Sequence, residues 1–245
     1  YTGIVLVFLG LVFSILLIKD TQHHVASETT TSVIPRLKNI FWDTTWKHKT
    51  LGSVTQAGLV NNLNDGMAWG IFPLLLSAKG FSITQIGTIV AVYPAVWGLG
   101  QIITGPLADR FCKRNVLYSG MLIQALSLLG LLWADWMWHF IVLSIFLGIG
   151  TALVYPTFLA TVAENTHPLD RAKSIGIFRL WRDLGYAIGA VLTGVLADLF
   201  NLNISILAIS LLTFVSAGIL YFRIQCSNPF HYLHPRKELH GVTTK

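Results

Sequence analysis

Seven long apolar runs divide the sequence, at about 1–18, 51–77, 83–108, 115–134, 137–163, 173–199 and 203–223. Each approaches the ~20 residues that a helix needs to cross the hydrocarbon core of a bilayer. None alternates apolar and polar positions as a membrane-spanning strand does. The pattern therefore predicts an all-α fold, a polytopic membrane helix bundle of about seven transmembrane helices. The connections at 78–82, 109–114, 135–136, 164–172 and 200–202 are short. The one at 19–50 is long and splits in two. Thr21 to Ser32 is polar and Thr-rich and reads as a linker. Pro35 to Lys49 sets Phe41, Trp42 and Trp46 among Arg36, Lys38, Lys47 and Lys49. Trp42 and Trp46 are four apart, on one helical face. The segment reads either as lying in the headgroup layer or as an ordinary helix lead-in with anchoring tryptophans.

Composition agrees with the pattern. Of 245 residues, 53% are hydrophobic and only 11% charged, with mean hydropathy +0.63. A soluble chain carries about a quarter charged residues, so this one could not cover a globular surface of its size. A net charge of +6 would suggest nucleic acid in a soluble protein. Here the position of the charge decides, and no nucleic-acid partner is expected. Fourteen of the 17 Lys and Arg fall on one side of the alternating topology, only Lys79 falls on the other, and Arg179 and Arg182 lie inside a run. Basic residues collect on the cytoplasmic side. The first helix then runs inward, the tail 224–245 is cytoplasmic, and the plasma membrane is the expected location. Cys112 and Cys226 both fall on the inner side and are expected to be reduced. Trp133, Trp136 and Trp138 flank an outer turn as an aromatic belt.

A short internal repeat adds topology. Thr104-Gly105-Pro106-Leu107-Ala108-Asp109 closes the third run, and Thr193-Gly194-Val195-Leu196-Ala197-Asp198 closes the sixth. Three helices separate the copies, so they end on opposite faces. Runs two to four and five to seven then form two inverted three-helix repeats, a common construction of secondary transporters.

The inner turn that follows Gly105 reads Pro106-Leu107-Ala108-Asp109-Arg110-Phe111-Cys112-Lys113-Arg114. Gly105 permits close helix approach. Asp109 can cap a helix or accept charge-assisted hydrogen bonds, and the basic residues suit acidic headgroups or carboxylates. This turn resembles the cytoplasmic signature loop of the major facilitator superfamily, Gly-x-Leu-Ala-Asp-Arg-x-Gly-Arg-Arg, with Cys112 where that family usually has Gly. The resemblance implies two six-helix halves joined by a long cytoplasmic loop. Residues 1–18 would be the isolated last helix of a missing N-terminal half and 19–50 the loop. Residues 51–223 would be the six-helix C-terminal half, and 224–245 its tail. The Glu164-x6-Arg171 element is similar to an acidic–basic pair of many relatives. By resemblance, Gly105, Asp109, Arg110, Lys113, Arg114, Glu164 and Arg171 form a cytoplasmic gate, with Asp109, Arg110, Glu164 and Arg171 in its ion network. Exposed pairs are worth under about 1 kcal/mol each, so only a cooperative cluster could bias a gate.

Ionisable groups inside a span are functional candidates because they are costly there. In the second run Asn61, Asn62, Asp65 and Trp69 share a helical face, beside Asn64. Asn-Asp-Gly at 64–66, with Pro73 beyond, marks either a lumen-facing polar site at a helix break or a structural kink. In the sixth run Arg179, Arg182, Asp183 and Tyr186 share a face, and Arg179 and Asp183 are spaced to pair at i, i+4. That set is either a charged cavity face or a buried structural ion pair. Gly185, Gly189 and Gly194 occupy the other face and allow close packing. Tyr155 precedes Pro156 in the fifth run and either lines the cavity or packs. His231, His234 and His240 lack metal-ligand spacing.

These features predict a secondary active transporter of a small molecule or ion, working by alternating access and coupled to protons through Asp65 or Asp183. No cofactor and no metal is expected. A seven-helix receptor is the alternative, but it leaves the repeat unexplained. An enzyme is disfavoured, because no nucleophile grouping, metal-ligand set or phosphate loop is present. The inverted repeat makes a direct prediction. A membrane-impermeant thiol reagent should reach Arg110→Cys from one side of the membrane and Asp198→Cys only from the other.

Overall fold

Every apolar run is a helix. The computed structural model describes residues 2–17, 28–30 and 32–226, apart from the side chains of Thr2, Leu17, Ala108 and Asp109. Most of the Thr-rich linker and the tail histidines lie outside the described residues. The helices are α1 (Thr2–Leu17), α2 (Lys49–Ala78), α3 (Ile83–Arg110), α4 (Lys113–Gly130), α5 (Met137–Glu164), α6 (Pro168–Leu199) and α7 (Leu202–Arg223). Ahead of α2, one α-turn at Ile40–Trp42 runs into a π-helical turn at Asp43–Lys47.

Local chemistry sets the helix ends. Ser82 and Gln85 form a capping box at the start of α3, and the Asn201 side chain caps α7. His167 caps α6 and Pro168 occupies its first turn, so α6 begins five residues before the apolar run does. Gly80, at φ +82°, supplies the left-handed residue of the α2–α3 turn. Pro73, Pro94, Pro106 and Pro156 all lie within continuous helices. The Asn-Asp-Gly sequence therefore does not break α2. Its side chains reach neighbouring helices instead, Asn64 to α4 and α7 and Asp65 to α3.

Four helical stretches, Ile83–Leu107, Lys113–Trp133, Met137–Glu164 and Leu202–Arg223, are long and apolar enough to cross a bilayer on composition alone. The helices α2 and α6 are longer, at 30 and 32 residues, but carry the charged residues Asp65, Arg179, Arg182 and Asp183 within their apolar runs. Apolar α1 is exposed along almost its whole length.

Packing follows the repeat. The helix α2 lies along α6, and α3 lies along α5. Exchanging the triplets α2–α4 and α5–α7 converts one pair into the other. The pairs α4–α5 and α2–α7 exchange in the same way, and α4–α7 maps onto itself. Ion pairs mark the two ends: Lys79–Asp135 at 2.7 Å joins the turns after α2 and α4, while Lys113–Glu164 at 2.6 Å joins the starts and ends of α4 and α5 at the other.

Two apolar clusters fill the bundle. One holds Leu63, Met67, Phe72, Tyr93, Leu128, Phe140 and Ile206, and the other Leu51, Val54, Leu117, Met121, Phe158, Phe178 and Leu220. In each helix that contributes to both, a polar stretch separates them. Asn61 and Asn62 do so in α2, Gln124 in α4, Thr151 in α5, and Ser210 and Thr213 in α7. The bundle therefore has a polar waist between two dry halves.

Glycine sets the α2–α6 crossing. A Cβ at Gly66 would lie 2.6 Å from the Tyr186 carbonyl oxygen, and one at Gly189 2.5 Å from that of Leu63. A Cβ at Gly185 would collide with the Leu59 carbonyl. Of the three glycines expected to allow close packing, Gly194 does not, having open space around it. Replacing Gly189 by Ala should destabilise the detergent-solubilised protein by about 1–3 kcal/mol, read as a lowered Tm. Gly194→Ala should leave Tm unchanged.

Candidate functional site

The waist contains two separate polar arrangements. The first ties helices together. Asn64 Nδ2 donates to Gln124 Oε1 at 2.9 Å, Gln124 Nε2 donates to Asn61 Oδ1 at 3.0 Å, and the Thr213 hydroxyl donates to Asn64 Oδ1 at 2.8 Å. Asn61 also donates to Asn62 Oδ1 at 3.2 Å. All five side chains are buried. Asn62 packs under Gly185 of α6. Asn61 and Asn62 thus belong to a clamp joining α2, α4, α6 and α7. Leaving one such group unpaired would cost about 1–3 kcal/mol.

The second arrangement centres on Asp65, which is 2% exposed. The Tyr93 hydroxyl donates to its Oδ1, and Thr151 Oγ1 lies 3.2 Å from the same hydroxyl. Oδ2 of Asp65 has no hydrogen-bond partner. The Tyr186 hydroxyl of α6 faces the same carboxylate, and the Arg182 guanidinium acts on it by its charge without an ion pair. A run of rings continues from there. Trp69 and Tyr93 lie 6.3 Å apart, Tyr93 stacks on Trp97 at 6.3 Å, and Trp97 meets Tyr155 edge-on at 5.5 Å. Trp69 is half exposed, and Trp97, Tyr155 and Tyr186 are partly so. The rings therefore form a wall with one open face.

Arg182 closes this wall. Its Nη1 donates to the Tyr155 hydroxyl at 2.9 Å and its guanidinium lies 5.2 Å from that ring. Its Nε and Nη2 reach Asp183 Oδ1 at 2.8 and 2.7 Å. The pair expected between Arg179 and Asp183 is not formed. Tyr155 draws Arg182 inward and the neighbouring Asp183 follows it, while Arg179 is exposed and makes no ion pair among the described residues.

At the other polar cluster, Glu164 pairs with Lys113. Arg171 donates from Nε to the Ala163 carbonyl at 3.2 Å and from Nη1 to Glu28 at 2.8 Å, so the expected Glu164–Arg171 contact is absent. Arg114 lies 5.0 Å over the Tyr221 ring. Arg110 is exposed without a partner among the described residues, and the Asp109 side chain lies outside them. Gly105 has no neighbour within 4 Å of a Cβ, so no close approach occurs there. Cys112 and Cys226 form a disulfide, with Cα atoms 5.7 Å apart, instead of the expected free thiols. Ile224 is buried against the apolar cluster that holds Leu117 and Leu220, which carries Cys226 to the start of α4. No group of three His, Cys, Asp or Glu side chains among the described residues could hold a metal ion.

Residues 54–239 match the sequence profile of the Major Facilitator Superfamily. The chain belongs to this family. It is 25% identical over 149 residues to the inner membrane transport protein YnfM of Escherichia coli, covering 60% of this chain and 35% of YnfM. It is 25% identical over 166 residues to the uncharacterized MFS-type transporter MJ1560 of Methanocaldococcus jannaschii, covering 66% of this chain and 42% of the relative. In three dimensions it resembles the crystal structure of peptide transporter POT in complex with alafosfalin, at TM-score 0.67 and 19% identity, over 83% of this chain and 41% of that one. The chain spans about a third to two-fifths of the length of these proteins. Membership of a family of multi-pass membrane transporters displaces the seven-helix receptor reading.

Within this superfamily fold, sequence reasoning missed Tyr93, Trp97, Gln124, Thr151 and Thr213. The hydroxyls, the indole and the amide sit in apolar runs without a charged neighbour. An unexplained Gln at mid-span was the one available signal. Reasoning from sequence also missed the anchor of the loop. Arg36 reaches Asp170 with Nη2 at 2.5 Å and Nε at 3.3 Å, and the Leu37 N–H donates to the same carboxylate at 3.3 Å. Trp181 Nε1 donates to Thr45 Oγ1 at 3.0 Å, and Gly52 of α2 packs on the Trp46 backbone. The segment from Pro35 to Lys49 is thus packed on α2 and α6, with Trp42 and Trp46 facing outward.

Asp170 lies ahead of the apolar run of α6 with no solvent-exposed side-chain surface. Its hydrogen bonds from the Arg36 side chain, and secondarily from Leu37, hold its carboxyl below the usual carboxylate range, against the opposing effect of burial. A lowered value in the folded state means that the contact is fully present at neutral pH and is lost only as pH falls through that value. Asp170→Asn should make trypsin cleave after Arg36 or Lys38 roughly fivefold faster at pH 7.5, equivalent to a local opening easier by ~1 kcal/mol. Cleavage of the unaltered protein should stay constant between pH 6 and 8.

Proposed function

We propose that the protein is a secondary active transporter that moves a small solute by alternating access and is coupled to protons through Asp65. Residues 51–223 supply one six-helix half, 19–50 the connecting loop, and 1–18 the last helix of the other half. The greater length of the matched relatives supports this division. The basic side is cytoplasmic, the C-terminus lies there, and the plasma membrane is the location. No chemical conversion of the solute is involved.

The observation that carries the coupling is Asp65 itself. It is buried at the waist, held by the neutral Tyr93 hydroxyl on one oxygen, with no hydrogen bond on the other and no ion pair. An ionised carboxylate left in a low-dielectric interior without a cation is costly. A proton or a ligand would each remove that cost, so occupancy of this carboxylate can bias one conformation over another. The titratable and charged groups around it are Tyr93 of α3, Tyr155 of α5, and Tyr186 and Arg182 of α6. Asp183, tied to Arg182 and exposed on α6, is the weaker candidate for proton uptake. Asn61 and Asn62 brace the pathway, whereas Trp69, Tyr155, Arg182 and Tyr186 line it.

Lys113–Glu164 is the ion pair of the inner gate, with Arg171 and Arg114 holding the flanking helix ends. Arg110, exposed at the end of α3 without a partner among the described residues, engages the other half together with Asp109. A pair with Glu164 58% exposed contributes at most about 1 kcal/mol, which suits a contact broken in every cycle.

Alternation can be read without knowing the solute. Trp69→Cys, in a background of Cys112→Ser and Cys226→Ser, should react with an impermeant maleimide in both right-side-out and inside-out vesicles. The preferred side should change with pH, and Asp65→Asn should abolish that change. Reaction from one side only, at every pH, would remove the alternating-access reading.

A further inference from the structure

We propose that the transported solute is a monovalent organic cation with apolar bulk, bound against the aromatic wall with its charge beside Asp65; this deepens the transporter reading and rests on it. The argument starts from which charges at the waist are already spent. Arg182 is the cation closest to the wall. Its Nε and Nη2 are taken by Asp183, its Nη1 by the Tyr155 hydroxyl, and its face by the Tyr155 ring. An anionic solute would have to strip those contacts away. Arg179 is exposed and outside the ring set. Asp65, by contrast, has no ion pair: Oδ1 accepts from the Tyr93 hydroxyl, Oδ2 is buried without a hydrogen bond, and Tyr186 and the already engaged Arg182 only face it from α6. The carboxylate without an ion-pair partner at this level is therefore that of Asp65.

The wall has the same preference. Trp69, Tyr93, Trp97 and Tyr155 run continuously over α2, α3 and α5, with centroid spacings of 5.5–6.3 Å. Aromatic faces carry negative quadrupole density and attract cations, most strongly when both are desolvated. An anion would meet those faces and an unpaired carboxylate together. Trp97 Nε1 is also buried without an acceptor. One polar acceptor on the solute, placed away from its charge, would satisfy it. Bulk in the solute covers the rings, and a single positive charge matches the single free carboxylate. A proton and such a cation compete for the same oxygen, so binding of one releases the other.

Tetraphenylphosphonium and tetraphenylborate test this, being nearly equal in size and shape and opposite in charge. Binding to the detergent-solubilised protein is measured by equilibrium dialysis, with Trp69 and Trp97 fluorescence as a second readout. Tetraphenylphosphonium should bind saturably, at least tenfold more tightly than tetraphenylborate. Asp65→Asn should weaken it at least tenfold, and Asp65→Glu should restore it to within threefold. Each variant is first shown to keep its Tm. Equal binding of the two ions, tighter binding of the borate, or unchanged phosphonium binding in Asp65→Asn overturns the inference. If any of these occurs while Trp69→Cys is still labelled from both sides, transport stands and only the cation assignment falls. Labelling from one side alone would instead remove the transporter reading beneath it.

Discussion

A polar side chain inside an apolar bundle must find its partner within the protein, because neither lipid nor water is there to supply one: hydroxyls such as Thr157 and Thr193 turn back on their own helix, whereas amides reach across to another. That constraint organises the waist of this protein. Asn61, Asn64, Gln124 and Thr213 satisfy one another across three helices and are buried nearly completely. The backbone already satisfies itself within each helix, so these side chains carry the lateral specificity. Apolar clusters on either side could slide or rotate at little cost. A clamp of directional bonds at mid-height fixes the register of α2 against α4 and α7.

Against this closed network Asp65 stands out. It occupies the same helical turn as Asn61 and Asn64 but faces α3, where one neutral hydroxyl receives it. The two halves of the Asn61–Asp65 stretch thus have different roles: one face is saturated and holds the fold, and the other is left with an open valence beside half-exposed rings. The first can be rigid because it meets all its requirements internally. The second keeps a buried carboxylate oxygen without a hydrogen bond, and the proposed coupling site rests on it.

The ends of the bundle obey another logic. There water competes for every ion pair, so Lys113–Glu164 and Lys79–Asp135 are individually weak. Asp170 differs because it is enclosed, and it draws Arg36 and the Leu37 backbone onto the start of α6. The long connection before α2 is consequently part of the packed structure from Pro35 onward. Its outward-facing Trp42 and Trp46 suit contact with the bilayer interface, a role equally compatible with an anchored lead-in to α2.

Helix number, length and order were legible in the sequence, because they depend on local runs of apolar residues. The inverted repeat was legible too, and the exchange-symmetric packing of α2–α6 and α3–α5 reflects it. Asp65 stood out as a charge in an apolar run. What the sequence could not supply was the rotation of each helix about its axis. Asn61, Asn62, Asp65 and Trp69 share a face on a helical wheel, yet neighbours on four sides divide them between a clamp and a site. Arg182 lies nearest to Tyr155, so it takes Asp183 from Arg179. Cys112 and Cys226, 114 residues apart, meet because α7 returns to the start of α4. Those outcomes are set by interhelical approach at Gly66, Gly185 and Gly189 and by partners far along the chain, which only the packed bundle brings together.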